Sequence, residues 1–348
     1  MKTPTVQKIA QGLVGPEEAG RLMEMLALHP DFLADHGDAV PRAVVAQALT
    51  MQLFRGLLRE VPEGARYVRE QGGRMVFDHG ALRTVNAPGL GALPPGHAAF
   101  ARVLEPLGYH VGGTYPLERL RMMGYAYTHR DYPEDIAQFF VSEIFPDRFS
   151  PAVQAAALEV FQVKDDPLAA DAQGLLDRLA AGGTLTLDEA TALVGELLRL
   201  FDRHHPVPTL AQYETLLAES AELAWIATEG NRFNHATDRV ADVEALAEDL
   251  KARGYEMKPK VEVSRDGTVR QTALRAAMVE RPFIDARGNL TSRVVPGSFY
   301  EFISRDPLKS ETGDSDTGHG EAGRRLDLRF DSGNAQGIFK MTAAASGC

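Results

Sequence analysis

The chain has 348 residues, enough for one large domain or two ordinary ones with a real core. Its 44% hydrophobic and 24% charged residues fit a globular protein and exclude a mainly disordered chain, a collagen-like fibre and a membrane bundle. Acidic residues number 48 against 37 basic ones, a formal net charge of -11, so phosphate backbones and anionic lipid are repelled and an anionic small molecule needs a basic residue inside a pocket.

The single cysteine, Cys348, cannot close an intrachain disulfide, and Met1-Lys2-Thr3-Pro4 opens no apolar leader. The longest stretch free of Asp, Glu, Lys and Arg, Thr84 to Ala101, is broken by Pro88, Pro94 and Pro95 and is too polar for a membrane span. A cytoplasmic protein is expected.

Pro16-Glu17-Glu18 opens a helix to about Leu28, with proline in the first turn and acids at the positive end of the dipole. Pro41 opens another, whose Val44, Val45, Ala48, Leu49, Leu53 and Leu57 recur at helical spacing to about Glu60. Met75 to Val85 has strand composition, Asn86 to Gly96 is a Gly-Pro loop, and Gly112-Gly113 reads as a turn. From about Pro133 to Trp225 the pattern is mostly helical; Thr186-Leu187-Asp188-Glu189 is a capping box, and His204-His205-Pro206 ends that helix as a surface feature.

After Gly230, Arg232 to Thr237 reads as a strand, and Val240 to Leu250 as a helix stopped by Gly254. Lys258 to Val263 and Thr268 to Thr272 form a hairpin about Asp266-Gly267, and Leu290 to Val295 and Ser298 to Arg305 are two more strands. Ser310 to Gly323 reads as a loop, before a last structured piece from Leu326 to Thr342. The chain thus divides into helices to about residue 70, a strand block over 71–130, a helical insertion over 131–225, and a second strand block with C-terminal closure over 226–348. All of it is read as a single domain.

Three segments could carry chemistry. Strand alternation puts Phe77, His79, Ala81 and Arg83 on one face. A core histidine bonded to backbone would explain His79 alone. Arg83 needs a carboxylate partner, whether an acid from elsewhere in the chain or a substrate. Phe233, His235 and Thr237 repeat the arrangement. In Ser298-Phe299-Tyr300-Glu301-Phe302-Ile303 an acid stands among apolar neighbours, to be satisfied by an arginine such as Arg293 or Arg305, or by a metal ion. Two imidazoles and a carboxylate around a ferrous ion leave about three positions for substrate and oxygen.

Phe77-Asp78-His79-Gly80-Ala81-Leu82-Arg83-Thr84, Asn234-His235-Ala236-Thr237 and Val295 to Phe302 together resemble the 2-oxoadipate dioxygenase/decarboxylase (hydroxyglutarate synthase) family. Tyr132-Pro133, Phe139-Phe140-Val141-Ser142-Glu143 and Gly333 to Phe339 fit the same pattern, so the resemblance spans about Pro41 to Thr342. It implies an α+β fold similar to the vicinal oxygen chelate superfamily: a curved β-sheet of two strand-rich modules around a metal, with N-terminal helices and a helical insertion. It further implies an Fe(II) cofactor held by His79, His235 and Glu301, with Arg83 anchoring a substrate carboxylate.

The expected reaction takes a 2-oxo dicarboxylic acid and O2, converting 2-oxoadipate to 2-hydroxyglutarate and CO2, in lysine catabolism. Gln271 and Ser298 are candidate donors around the site. Ser332, Asn334 and Lys340 are candidates for a C-terminal contribution to the substrate pocket, where the sequence departs from longer family members. Tyr300, on the face opposite Glu301, is read as structural. Two alternatives remain open: a glyoxalase-like isomerase or lyase, which a fourth metal ligand would favour, and a non-catalytic small-molecule binding protein with structural histidines.

Overall fold

Proline at the first turn and apolar periodicity set the N-terminal helices: α1 (Thr5–Val14), α2 (Pro16–Met25), α3 (Arg42–Glu60) and α4 (Pro62–Glu70). A computed structural model of the chain describes residues 2–308 and 325–333. After α4 come β1 (Phe77–Val85), α5 (Ala98–Leu104), β2 (Tyr109–Leu117), β3 (Met122–His129) and β4 (Gln138–Ile144). Five helices follow: α6 (Pro151–Val160), α7 (Ala170–Ala180), α8 (Leu187–Leu200), α9 (Leu210–Leu217) and α10 (Ala221–Glu229). The chain then forms β5 (His235–Arg239), α11 (Val243–Ala252), β6 (Glu262–Val263), β7 (Val269–Ala273), β8 (Met278–Ile284), β9 (Leu290–Pro296) and β10 (Phe299–Arg305).

Eight strands make one curled sheet in the order β2-β3-β4-β1-β5-β10-β7-β6, and β8 and β9 form a separate hairpin. The order is a repeat. β1 lies parallel to β4, which pairs antiparallel with β3; β5 lies parallel to β10, which pairs antiparallel with β7. β1 and β5 meet antiparallel at the centre. Each module is therefore a strand, a helix and three further sheet strands, with the hairpin inserted before the last strand of the second. The expected α+β class with a curved sheet of two modules is the architecture found.

The same device fixes the helix of each module. The Glu143 carboxylate on β4 accepts the N–H of His97 at the start of α5, at 2.9 Å, and the Ser304 hydroxyl on β10 accepts the N–H of Val243 at the start of α11, at 2.8 Å. The even-numbered faces of β1, β5 and β10 contribute Leu82, Ala236 and Phe302 to a core shared with α1, α3, α8 and α11. The other face of the first module packs Ala81, Phe140 and Ile144 against α6, α9, α10 and Phe283 of the hairpin.

Several expectations are corrected. The helical segment predicted for 131–225 opens with β4, whose seven residues are all buried. A short continuous apolar run, Phe139-Phe140-Val141, carries no period that separates a buried parallel strand from a buried helix. The helices begin at Pro151 and connect the two modules. Gly112-Gly113 lies inside β2, at a register shift between Val111 and Gly113, not at a turn. β8 was not foreseen, because Arg281 and Pro282 interrupt its apolar pattern. Among the described residues, no helix is long and apolar enough to cross a membrane.

Candidate metal centre

β1 carries the first candidate ligand, and a bulge aims it. Phe77 pairs with Asp238 and His79 with Thr237, so Asp78 is one residue too many and strand alternation breaks there. Phe77 consequently does not share a face with His79, as simple alternation predicts. It turns into the core against Phe54 at 5.0 Å and Phe233 at 6.2 Å. The glycine next along, Gly80, has a physical reason: a Cβ there would stand 2.2 Å from Cζ of Phe233.

β5 and β10 bring the other two side chains to the same point. The Glu301 carboxylate Oε2 lies 3.0 Å from His235 Nε2 and 3.4 Å from His79 Nε2. One ligand atom from each of the three residues falls within 4.8 Å of the others, and their exposures are 3%, 7% and 1% for His79, His235 and Glu301. The Thr237 hydroxyl donates to Glu301 Oε2 at 2.6 Å and lies 3.1 Å from His79 Nε2.

Each imidazole is oriented by the residue just before it. Asp78 Oδ1 is 2.8 Å from His79 Nδ1, and Asn234 Oδ1 is 3.1 Å from His235 Nδ1. These oxygens hold a proton on each Nδ1 and leave each Nε2 lone pair facing Glu301. Arg305 grips Asp78 through Nε, 2.9 Å from Oδ2, and Nη2, 2.9 Å from Oδ1, while its Nη1 donates to the carbonyls of Asp327 and Arg329.

Charge follows geometry. Burial pushes the Glu301 carboxyl up, but His235 and His79 beside it hold it well below the usual carboxylate range. Burial opposes ionisation of Asp78 too, and Arg305 outweighs it. For His79, burial is overcome by Asp78 and Glu301, which shift it upward; burial prevails at His235 and shifts it downward. The set fits a divalent cation on one further observation: Glu301 Oε1 is buried without a hydrogen-bond partner among the described residues. Paired imidazole nitrogens and an anionic oxygen suit iron, manganese or zinc alike.

Arg83 lines the same cavity with Ala81, Phe140, Ser142, Gln271, Phe330 and Asp331. Its guanidinium donates to Asn234 Oδ1 at 3.2 Å and stands over the Trp225 ring at 5.0 Å. Burial pulls it down to about 10 against the charge of Glu222, so it is a cation at neutral pH. Phe330 lines the cavity too, its ring perpendicular to that of His79 at 4.8 Å, and the free space is about 20 Å³, room for one water. A roomier depression, about 850 Å³ between α2, α3 and α4, lies apart from the three ligands and is lined by arginines, glutamates and aliphatic side chains.

Among the other predicted residues, Gln271 reaches the cavity and Ser298 does not. Ser298 precedes β10 on the face opposite Glu301, and its hydroxyl donates to the Phe233 carbonyl at 2.6 Å. Ser332 lies in an adjoining pocket with Arg265, Asp266 and Arg329, and Asn334 and Lys340 lie outside the described residues. The arginines considered for Glu301 serve other acids: Arg293 pairs with Glu214, and Arg305 with Asp78. Tyr300 is buried among Phe54, Tyr67 and Phe302, as expected of a structural residue. His205 is 8% exposed and bonds the carbonyls of Pro206 and Ile226, so it is a core histidine rather than a surface one. Sequence reasoning missed Asp78, Asn234, Thr237, Phe140 and Phe330. The repeated pair Asp78-His79 and Asn234-His235 was a readable signal for the first two.

The family model for 2-oxoadipate dioxygenase/decarboxylase matches residues 36–315. The chain belongs to this family of enzymes. It is 48% identical to a glyoxalase superfamily protein of Ralstonia eutropha JMP134, over 95% of this chain and 99% of that one, with a TM-score of 0.87. It shares its fold with the hydroxyglutarate synthase of Oryza sativa, solved in complex with 2-oxoadipate: 20% identity, TM-score 0.64, 89% of this chain and 97% of the other. The hydroxyglutarate synthase of Pseudomonas putida, also solved with 2-oxoadipate, gives 21% identity and a TM-score of 0.52, over 87% of this chain and 64% of that one. No curated protein matches the chain.

Proposed function

We propose that the chain is an Fe(II)-dependent dioxygenase/decarboxylase that converts 2-oxoadipate and O2 to 2-hydroxyglutarate and CO2. The observation that carries this is one buried cavity in which His79, His235 and Glu301 converge and Arg83 also opens. Family membership and the 2-oxoadipate complexes of the related folds support the substrate class. The two modules act as one unit in this reading, because the first supplies His79 and the second His235 and Glu301.

His79, His235 and Glu301 hold the ion, and ferrous iron bound there supplies the redox chemistry that couples oxygen reduction to loss of the C1 carboxylate and hydroxylation of the shortened acid. Asp78 and Asn234 keep the Nδ1 protons in place, so both imidazoles stay fixed as donors through turnover. Arg83 binds the distal substrate carboxylate through paired N–H donors and so fixes the length of acid that fits. Ala81, Phe140 and Phe330 exclude water. Gln271 and Ser142 can donate to substrate oxygens from the wall.

The test is anaerobic loading with Fe(II), then oxygen uptake and CO2 release with 2-oxoadipate, 2-oxoglutarate and a monocarboxylic 2-oxo acid. Uptake with matching CO2 release is expected for 2-oxoadipate. No uptake with any of the three overturns the assignment, and equal rates with the monocarboxylic acid remove the role given to Arg83.

A further inference from the structure

The sheet register relates the two modules residue by residue. Gly80 faces Ala236 at the centre, His79 faces Thr237 and His235 faces Ala81, so a two-fold axis through the central pair exchanges the two histidines. The last strands obey the same exchange. Gln138 stands beside His79 as Phe299 stands beside His235. Two residues on, Phe140 stands beside Ala81, and Glu301 stands beside Thr237. Phe140 is therefore the first module's counterpart of the carboxylate ligand.

Its surroundings fit that placement. Phe140 lines the cavity that holds the three candidate ligands. Its ring lies over Gly124, where a Cβ would be 2.5 Å from Phe140 Cζ, and against Phe330 at 4.8 Å. Gly124 is itself the counterpart of Gln271: Gly124 pairs with Ser142 on β4, and Gln271 with Ile303 on β10. The first module thus places a glycine and an aromatic ring where the second places an amide and a carboxylate.

We infer that Phe140 occupies the position of a fourth protein ligand and, by being apolar, sets the number of coordination positions left to substrate and oxygen. This rests on the metal site proposed above. Two imidazoles and one carboxylate leave about three positions on an octahedral ion, enough for a chelating 2-oxo acid and O2 together. A carboxylate at 140 would leave about two, and the reaction would lose the place for one reactant. Phe140 is in this sense the residue that separates oxygenase chemistry from four-ligand Lewis-acid chemistry on the same scaffold.

The test uses Phe140→Glu, Phe140→His and Phe140→Leu in the full chain, with Mn(II) as probe. Titration calorimetry gives affinity, and water-proton relaxation gives the number of coordinated waters. Phe140→Glu is expected to bind Mn(II) about tenfold tighter or more, with one fewer water, as ligand charge count rises. Phe140→His is expected to lose one water, and Phe140→Leu to keep the parent affinity and water number. Oxygen uptake with 2-oxoadipate should collapse in the first two. A folded Phe140→Glu or Phe140→His with the parent affinity and water number overturns the inference. Failure of both to fold also overturns it, because the counterpart position in the second module holds a buried acid. A parent chain that takes up no Mn(II) or Fe(II) instead overturns the metal site itself.

Discussion

The two strand modules share a backbone and part company at particular side chains. Both present a histidine at the same register position, each oriented by the residue before it. Around that common pair the choices diverge: Asp78 against Asn234, Phe140 against Glu301, Leu82 against Asp238, Glu143 against Ser304. The backbone decides where a side chain arrives, and the side chain decides whether that place becomes a ligand, a wall or a support. Function sits in the differences, since a perfectly repeated pair would offer two carboxylates and leave less room for substrate.

The strongest test of that contrast is Glu301→Gln. Losing a partner that merely orients a metal-bound histidine typically costs about 10–100-fold in affinity, so losing a direct anionic ligand is expected to cost at least about 100-fold. Calorimetry with Mn(II) measures it. Metal affinity within a few-fold of the parent would break the distinction between the two modules, because Glu301 would then be doing no more than Phe140.

The next contrast is Asp78 against Asn234. Asp78→Asn leaves the buried Arg305 without its carboxylate, so the expected loss of stability is about 3–5 kcal/mol. Asn234→Ala removes a neutral group and is expected to cost about 1–2 kcal/mol. Both should weaken metal binding by about 10–100-fold, since each frees one imidazole. Urea unfolding and Mn(II) titration separate the two effects, and equal stability losses would remove the asymmetry.

How far the sequence revealed these features depended on how local their causes are. Glu301 could be read because it stands among apolar neighbours, His79, Arg83 and His235 because each lies in a short strand-like motif, and the capping box at Thr186 was legible because four consecutive residues suffice to form it. The bulge at Asp78 could not be read: alternation is intact in sequence and breaks only where β1 meets β5. Ser298 was misplaced although its parity was legible: it shares the parity of Tyr300, opposite Glu301, and nearness to the ligand in sequence is not nearness in a strand. Phe140 was read only as part of the family pattern, because its meaning comes from its correspondence to Glu301, on a strand more than a hundred residues away. The acid that Arg305 serves was likewise invisible, since Asp78 and Arg305 are joined only by the sheet.

A third contrast lies on the core side, where the first module has Leu82 and the second Asp238, each two residues on from the central pair. Burial pushes the Asp238 carboxyl up from the usual 3.8 to about 7, against the hydrogen bonds it accepts from the Tyr67 hydroxyl and the Val76 N–H. Between about pH 4 and pH 7 the folded chain therefore holds a proton that the unfolded chain has released. Stability contributed at this site falls as pH rises through that window and levels off above it, by on the order of 2–4 kcal/mol. Asp238→Asn keeps an acceptor for the Val76 N–H, can donate its amide N–H to the Tyr67 oxygen, and does not titrate. Denaturant midpoints at pH 5 and pH 8 should differ less in the variant than in the parent, and an unchanged difference would mean that Asp238 is ionised in the fold.

The smallest expected difference is between the two helix supports. Glu143 holds the start of the short α5 with a charged oxygen and also accepts the Tyr125 hydroxyl at 3.0 Å. Ser304 holds the start of α11 with a neutral one, and Asp242 caps the same helix through the N–H groups of Glu244 and Ala245. Removing Ser304's oxygen leaves that second cap in place, so Ser304→Ala should cost about 0.5–1 kcal/mol. Glu143→Ala strips a half-buried tyrosine and a helix N–H of their common acceptor, and about 2–3 kcal/mol is expected. The signs agree and only the sizes differ, so the comparison needs matched urea curves with equal slopes. Equal losses would show that α5 draws its position from packing of Phe100, Val103 and Leu104 and not from Glu143. In that case the repeated device would be a coincidence of register, with support for the module helix coming from the core.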